Sequence, residues 1–162
     1  MNKQTSSLGS DAFVLMATCA VLAIAAEYVR GRPNIFGPPA PTKPYPTLDA
    51  FFPFYMAEHS EPLTRTLHYI GTTLLAIFLV ASPGLIVALG VAAFAGHSVV
   101  FPLTRHLPNG LIEFASMLAF YVILGRRLTG SWKRTLLPPV LAYTCAWVGH
   151  FFIEHNRPAT FM

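Results

Sequence analysis

Charge is scarce in this chain. Only 11% of its 162 residues are Asp, Glu, Lys or Arg, against roughly 25% in an average soluble domain, and 54% are hydrophobic. No charged residue occurs between Arg65 and Arg105, and so long an uncharged stretch speaks for a bilayer rather than an ordinary globular core. Cysteine is scarce too. Cys19 and Cys145 each lie within an apolar run, which argues against a disulfide framework and for buried small hydrophobes. Runs of like charge are missing as well, and the formal charge of +4 comes from basic residues placed singly or in pairs at the ends of apolar stretches. These read as snorkelling anchors, and without interleaved basic and aromatic residues nothing marks a nucleic-acid surface.

The long apolar runs themselves predict the architecture. Ala12 to Ala26 is uncharged, rich in Ala, Leu and Val, and closed by Glu27 and Arg30, so it reads as a short first span. A cleaved signal peptide competes, because Ala23-Ile24-Ala25 has the small-x-small form of a cleavage site. The solitary Lys3 ahead of the run and Asp11 beside it favour a retained span. Arg30 to Thr47 contains Gly31, Pro33, Gly37, Pro38, Pro39, Pro41, Pro44 and Pro46, a composition that sustains neither helix nor sheet and predicts an extended linker. Ser82-Pro83-Gly84 divides the next stretch into spans of about 67–81 and 85–103. Leu111 to Leu124, which carries Glu113 and is followed by Arg126-Arg127, either spans or lies buried against its neighbours. Thr135 to Ile153, with Pro138-Pro139 near its start, forms the last span. The reading is an all-α, polytopic helical membrane protein of about five short transmembrane helices. It divides into an N-terminal tail and first span over 1–30, a Pro/Gly-rich linker over 31–50 and a helical membrane domain over 51–162.

Five spans carry all six histidines toward one membrane face. His59 and His68 stand at the start of the second span, His97 and His106 at the end of the third, and His150 and His155 at the end of the fifth. His150 and Glu154 are four residues apart, hence on one face of a regular helix, and such a pair can bind one metal. Neutral imidazole with carboxylate suits Fe(II), Mn(II) or Zn(II), and two His with one carboxylate and open positions is the arrangement of non-haem iron oxygen chemistry. His59 and His68 would face opposite ways on an unbroken helix, but Pro62 supplies a break that lets both turn to one point. The competing reading has interfacial histidines bonded to backbone or headgroups, with Glu154 paired to Arg157. Ionisable groups near a bilayer are costly unless partnered, so their convergence is by default a functional hypothesis.

Two motifs carry a resemblance. FYMAEHSEPLTRTLHYIGT, from Phe54 to Thr72, and AWVGHFFIEHNRPATF, from Ala146 to Phe161, resemble the small membrane proteins related to the yeast iron-dependent 2-hydroxy fatty acid dioxygenase, a family long catalogued as a domain of unknown function. The resemblance covers roughly residues 51 to 161. It implies helical spans, a histidine-bound Fe(II) centre, and shortening of 2-hydroxy fatty acids by one carbon in α-oxidation and sphingoid-base breakdown. Carried onto this chain, it assigns His59, His68, His150 and Glu154 to the metal, with His97 and His155 as further candidates. Beside it, the expected chemistry gives catalytic roles to Glu154 and Arg157, and substrate contacts to Arg65 and Tyr55. The implied partners are membrane lipids, a fatty acyl substrate and O2, in the endoplasmic reticulum, another organelle or a bacterial inner membrane.

The chain departs from that pattern in its extra N-terminal span and linker, which suit docking and keep open a second expectation: a non-catalytic accessory subunit of a larger membrane complex. A third reading, a lipid or haem carrier, would use the histidines as axial ligands. The middle of the chain also holds AAFAGHSVVF, an echo of CAWVGHFFIE in which Gly96-His97 matches Gly149-His150 but Phe101 stands at the place of Glu154. A second metal site is therefore not expected. One short echo is not a duplication.

Overall fold

The computed structural model describes residues 3–32, 37–41, 45, 47–158 and 161, with the backbone alone for 3–11. The linker expectation falls partly outside them, since Pro33, Lys43, Pro44 and Pro46 are not among the described residues. The order is α1 (Lys3–Arg30), α2 (Leu48–Ala57), α3 (Pro62–Ala81), α4 (Pro83–Ala95), a π-helical segment Gly96–Val100, α5 (Phe101–Thr104), α6 (Leu111–Thr129), α7 (Trp132–Val148) and a second π-helical segment, Gly149–Glu154. No strand occurs among the described residues.

Local chemistry explains where the helices break. Thr47 caps α2, its Oγ1 accepting from the Ala50 N–H at 3.1 Å. Pro62 and Pro83 stand at the first positions of α3 and α4, where a missing N–H costs nothing. Gly130 closes α6 in the left-handed conformation at φ 68°, and the Ser131 hydroxyl then accepts from the Arg134 N–H to open α7.

Four helical stretches are long and apolar enough to cross a membrane: Ala12–Arg30, Pro62–Ala81, Pro83–Thr104 and Trp132–Glu154. Their outward residues fit a lipid solvent. Ile24, Ile77, Val80 and Phe152 are each more than half exposed, an arrangement that forgoes ~1.5–3 kcal/mol per side chain in water and nothing in lipid. Five spans were expected. The fifth helix, α6, has 19 residues, but every 18-residue stretch of it includes Glu113, Arg126 and Arg127. It packs along α4, while α3 packs along α7.

The core sits between α4 and α6, where Leu85, Ala88 and Ala92 meet Tyr121 and Leu124. Small residues at helical spacing on α4 let the two backbones approach, the usual device where lipid supplies no hydrophobic drive. Helix α1 buries Leu22, Ala26 and Val29 along one stripe, against α4, α5, α6 and the first π-segment. Within the linker, the Ala40 N–H donates to the Arg105 carbonyl at 3.0 Å.

Candidate metal centre

The helix break expected at Pro62 is real: α2 ends at Ala57 and α3 begins at Pro62. His59 lies in the turn between them, His68 on α3 and His150 on the second π-segment. The topology brings the three together. Ring centroids are 4.6 Å apart for His59 and His68, 4.7 Å for His59 and His150, and 5.3 Å for His68 and His150, each pair meeting edge to face. One ligand nitrogen from each lies within 4.8 Å of the others. His59 and His150 are buried.

The outer nitrogens of His59 and His150 are spoken for. His59 Nδ1 donates to the Tyr55 carbonyl at 2.7 Å. His150 Nδ1 donates to Asn156 Oδ1 at 2.8 Å, and Asn156 Nδ2 donates in turn to the carbonyl and to Oε2 of Glu58, both at 2.9 Å. Both rings are thereby held as the tautomer whose Nε2 carries a lone pair. Such outer-shell acceptors are the usual companions of metal-binding imidazoles. Nε2 of His59 and Nε2 of His68 are buried without a hydrogen-bond partner among the described residues. Two rings with oriented lone pairs and a third whose Nε2 is buried and unpartnered form a candidate donor set for a cation. Three imidazoles suit Fe, Zn, Cu or Ni, so iron fits this set.

The expected residues separate into those near the triad and those away from it. Tyr55 stacks on His59 at 4.1 Å between centroids. The Arg65 guanidinium donates to the His59 carbonyl at 3.2 Å. Glu154 turns elsewhere: Oε2 accepts from the Ser60 hydroxyl and Oε1 from the Glu61 N–H, both at 2.8 Å, so its carboxylate caps the turn leading into α3. Arg157, His97 and His155 are exposed. His155 takes the left-handed conformation at φ 55° as the second π-segment ends.

A cavity of about 260 Å³ opens against the triad, walled by Phe51, Tyr55, Phe114, Tyr143, Trp147 and Phe161. Sequence reading missed Asn156 and Glu58, and of the aromatic wall it named Tyr55 alone. The only signal for the first two was their presence inside the motifs that carry the histidines.

A family model described as 2-hydroxy-palmitic acid dioxygenase Mpo1-like matches residues 45–162. The chain belongs to the Mpo1-like family. Neither a curated protein nor a solved structure matches it. The Mpo1-like region begins just ahead of α2 and holds all three histidines, leaving α1 and most of the linker outside it.

Proposed function

We propose that this Mpo1-like protein is an iron(II)-dependent dioxygenase that shortens 2-hydroxy fatty acids by one carbon. The observation that carries the reading is the convergence of three imidazoles, two of them with oriented outer nitrogens, at the mouth of an apolar cavity. The overall reaction balances as 2-hydroxy acid plus O2 giving the acid one carbon shorter, carbon dioxide and water: the bond between the carboxyl carbon and the carbinol carbon breaks, and O2 takes up four electrons.

His59, His68 and His150 would hold the ion, and Fe(II) supplies the electrons by which triplet O2 is made reactive. The protein's own part is placement. The Tyr55 carbonyl and Asn156 fix two rings before any substrate arrives, so no reorganisation is needed later. Arg65, which donates one of its five N–H groups to the His59 carbonyl, would take the substrate carboxylate. Tyr55 and the aromatic wall exclude water beside the reacting carbons. Glu154 would serve the reaction through the turn at Ser60 and Glu61, as a positioning group, and Arg157 would contribute as a charged group of the same motif.

The test is metal content by mass spectrometry on purified protein, with His59→Ala and His150→Ala as comparisons, alongside oxygen-dependent loss of a 2-hydroxy acid. Stoichiometric iron in the wild type, its loss in both variants and a product one carbon shorter are expected. Wild-type protein that takes up no iron on anaerobic reconstitution, or that leaves the 2-hydroxy acid untouched when loaded, overturns the reading.

A further inference from the structure

A second cavity, of about 350 Å³, lies between α3, α4, α6 and α7, lined by apolar residues that include Leu75, Leu89, Met117 and Leu118. It shares two lining residues, Phe114 and Tyr143, with the cavity at the triad. These two rings meet edge to face at 5.0 Å. Residues lining the two spaces continue along the same helices past that pair. On the α7 side, Pro139, Ala142 and Tyr143 line the larger cavity, while Tyr143, Ala146, Trp147 and His150 line the smaller one. Steps of three and four put all of these on one helix face. From Gly110, just ahead of α6, the larger cavity follows Phe114, Met117, Leu118 and Tyr121 along that helix, a rise of ~16 Å. His68 and Leu75, seven apart on α3, share a face in the same sense.

Size decides against the triad cavity acting alone. Its 260 Å³ falls below the roughly 300 Å³ at which small-molecule sites begin, whereas the two spaces joined sit well inside the range. We infer that they form one acyl channel: the triad cavity takes the polar head of a single-chain amphiphile, the larger cavity takes its tail, and the Phe114–Tyr143 pair is the constriction the chain threads. Chain length is then read below the constriction, by Leu118, Leu89 and Tyr121. The inference rests on the proposed fatty-acid reading for the head group, but its test does not require turnover.

The test uses full-length protein in nanodiscs with 2-hydroxy fatty acids of long and short chain, each carrying a photoreactive diazirine at its terminal carbon, and a phospholipid labelled likewise. Crosslinked residues are mapped by mass spectrometry. The long-chain label is expected on Leu118, Tyr121 or Leu89, and the short-chain label on Phe114, Tyr143 or Trp147. In Leu118→Trp the long-chain label leaves the larger cavity while metal content stays at the wild-type level. Labels confined to the lipid-facing Ile77, Val80 or Ile123, or deep labelling by the phospholipid and not by the free acid, overturn the channel. Channel labelling without any turnover leaves the channel standing and removes the dioxygenase reading alone. The wild-type labels decide for or against the channel by themselves, even where Leu118→Trp fails to fold.

Discussion

Removing the Asn156 side chain should weaken metal binding without touching a ligand. Asn156 accepts from His150 Nδ1 and donates twice to Glu58, so Asn156→Ala costs three hydrogen bonds. His150 is 3% exposed, and water cannot readily replace the lost acceptor. A buried N–H left unsatisfied costs about 1–3 kcal/mol. Loss of an outer-shell partner typically lowers metal affinity 10–100-fold, or about 1.4–2.8 kcal/mol, so two independent routes give the same scale. The assay is competition between purified protein and a chelator of known affinity, for Fe(II) without oxygen and for Zn(II) as a redox-silent control. Asn156→Asp separates the two halves of the contact, since it keeps an acceptor for His150 but sets a carboxylate against the Glu58 carboxylate. If orientation of the ring is what matters, Asn156→Asp binds more tightly than Asn156→Ala. If tying the Glu58 turn to the end of the second π-segment matters more, both variants lose affinity alike. Unchanged affinity in Asn156→Ala refutes the outer-shell argument.

Three further expectations follow from the same contacts. Glu154→Ala removes the acceptor for the Ser60 hydroxyl and the Glu61 N–H and should cost about 1 kcal/mol, the scale of a helix cap, seen as a lowered Tm. Glu154→Gln should keep most of that stability and its metal, and a Gln variant that loses the metal would return Glu154 to the ligand set. A Cβ on Gly149 would stand 3.0 Å from Thr64 Cγ2 whereas one on Gly90 meets nothing within 4 Å. Thermal unfolding should therefore show Gly149→Ala destabilised by about 1–3 kcal/mol and Gly90→Ala neutral or stabilised by up to ~1 kcal/mol. Stripping metal with a chelator should lower Tm, because ion at 100 times its Kd stabilises the folded state by ~2.7 kcal/mol; an unaltered melting curve in metal-loaded and stripped protein would speak against a built site.

Span limits and the break at Pro62 were legible in the sequence because both are set locally, by charge at helix ends and by a ring that cannot donate. Given those two facts, His59, His68 and His150 had to arrive at one level of the bundle. Their contact depends on more than level. His59 sits in a turn whose geometry is held by Glu154 from the far end of the chain and by the Tyr55 carbonyl, and no periodicity encodes a turn held from a distance. The Asn156–Glu58 contact was illegible for a similar reason. It forms because His155 takes φ 55° and folds the chain back, a conformation that non-glycine residues seldom adopt.

Glu154 shows what spacing alone does not fix. On an α-helix, residues four apart stack, and His150 with Glu154 would share one ion. The segment Gly149–Glu154 is instead π-helical, with hydrogen bonds from i to i+5, so four residues fall short of a full turn. In it the carboxylate meets Ser60 and Glu61 while His150 faces the other two rings.

The echo at Gly96-His97 makes the same point from the opposite side. It too is π-helical, so the local sequence specifies the wide turn at both places, and a glycine begins each. At Gly149 the absent Cβ lets the segment close onto Thr64 of α3, next to His59 and His68, and the following histidine is buried at 3%. At Gly96 it makes room for Met117 of α6, and the following histidine is exposed. The wide turn is therefore a packing device that two helix pairs use alike. It becomes a candidate metal centre only where the facing helix and the turn before it supply imidazoles of their own, which is why the Gly-His pair by itself carries no chemistry and why transplanting it would not create a site.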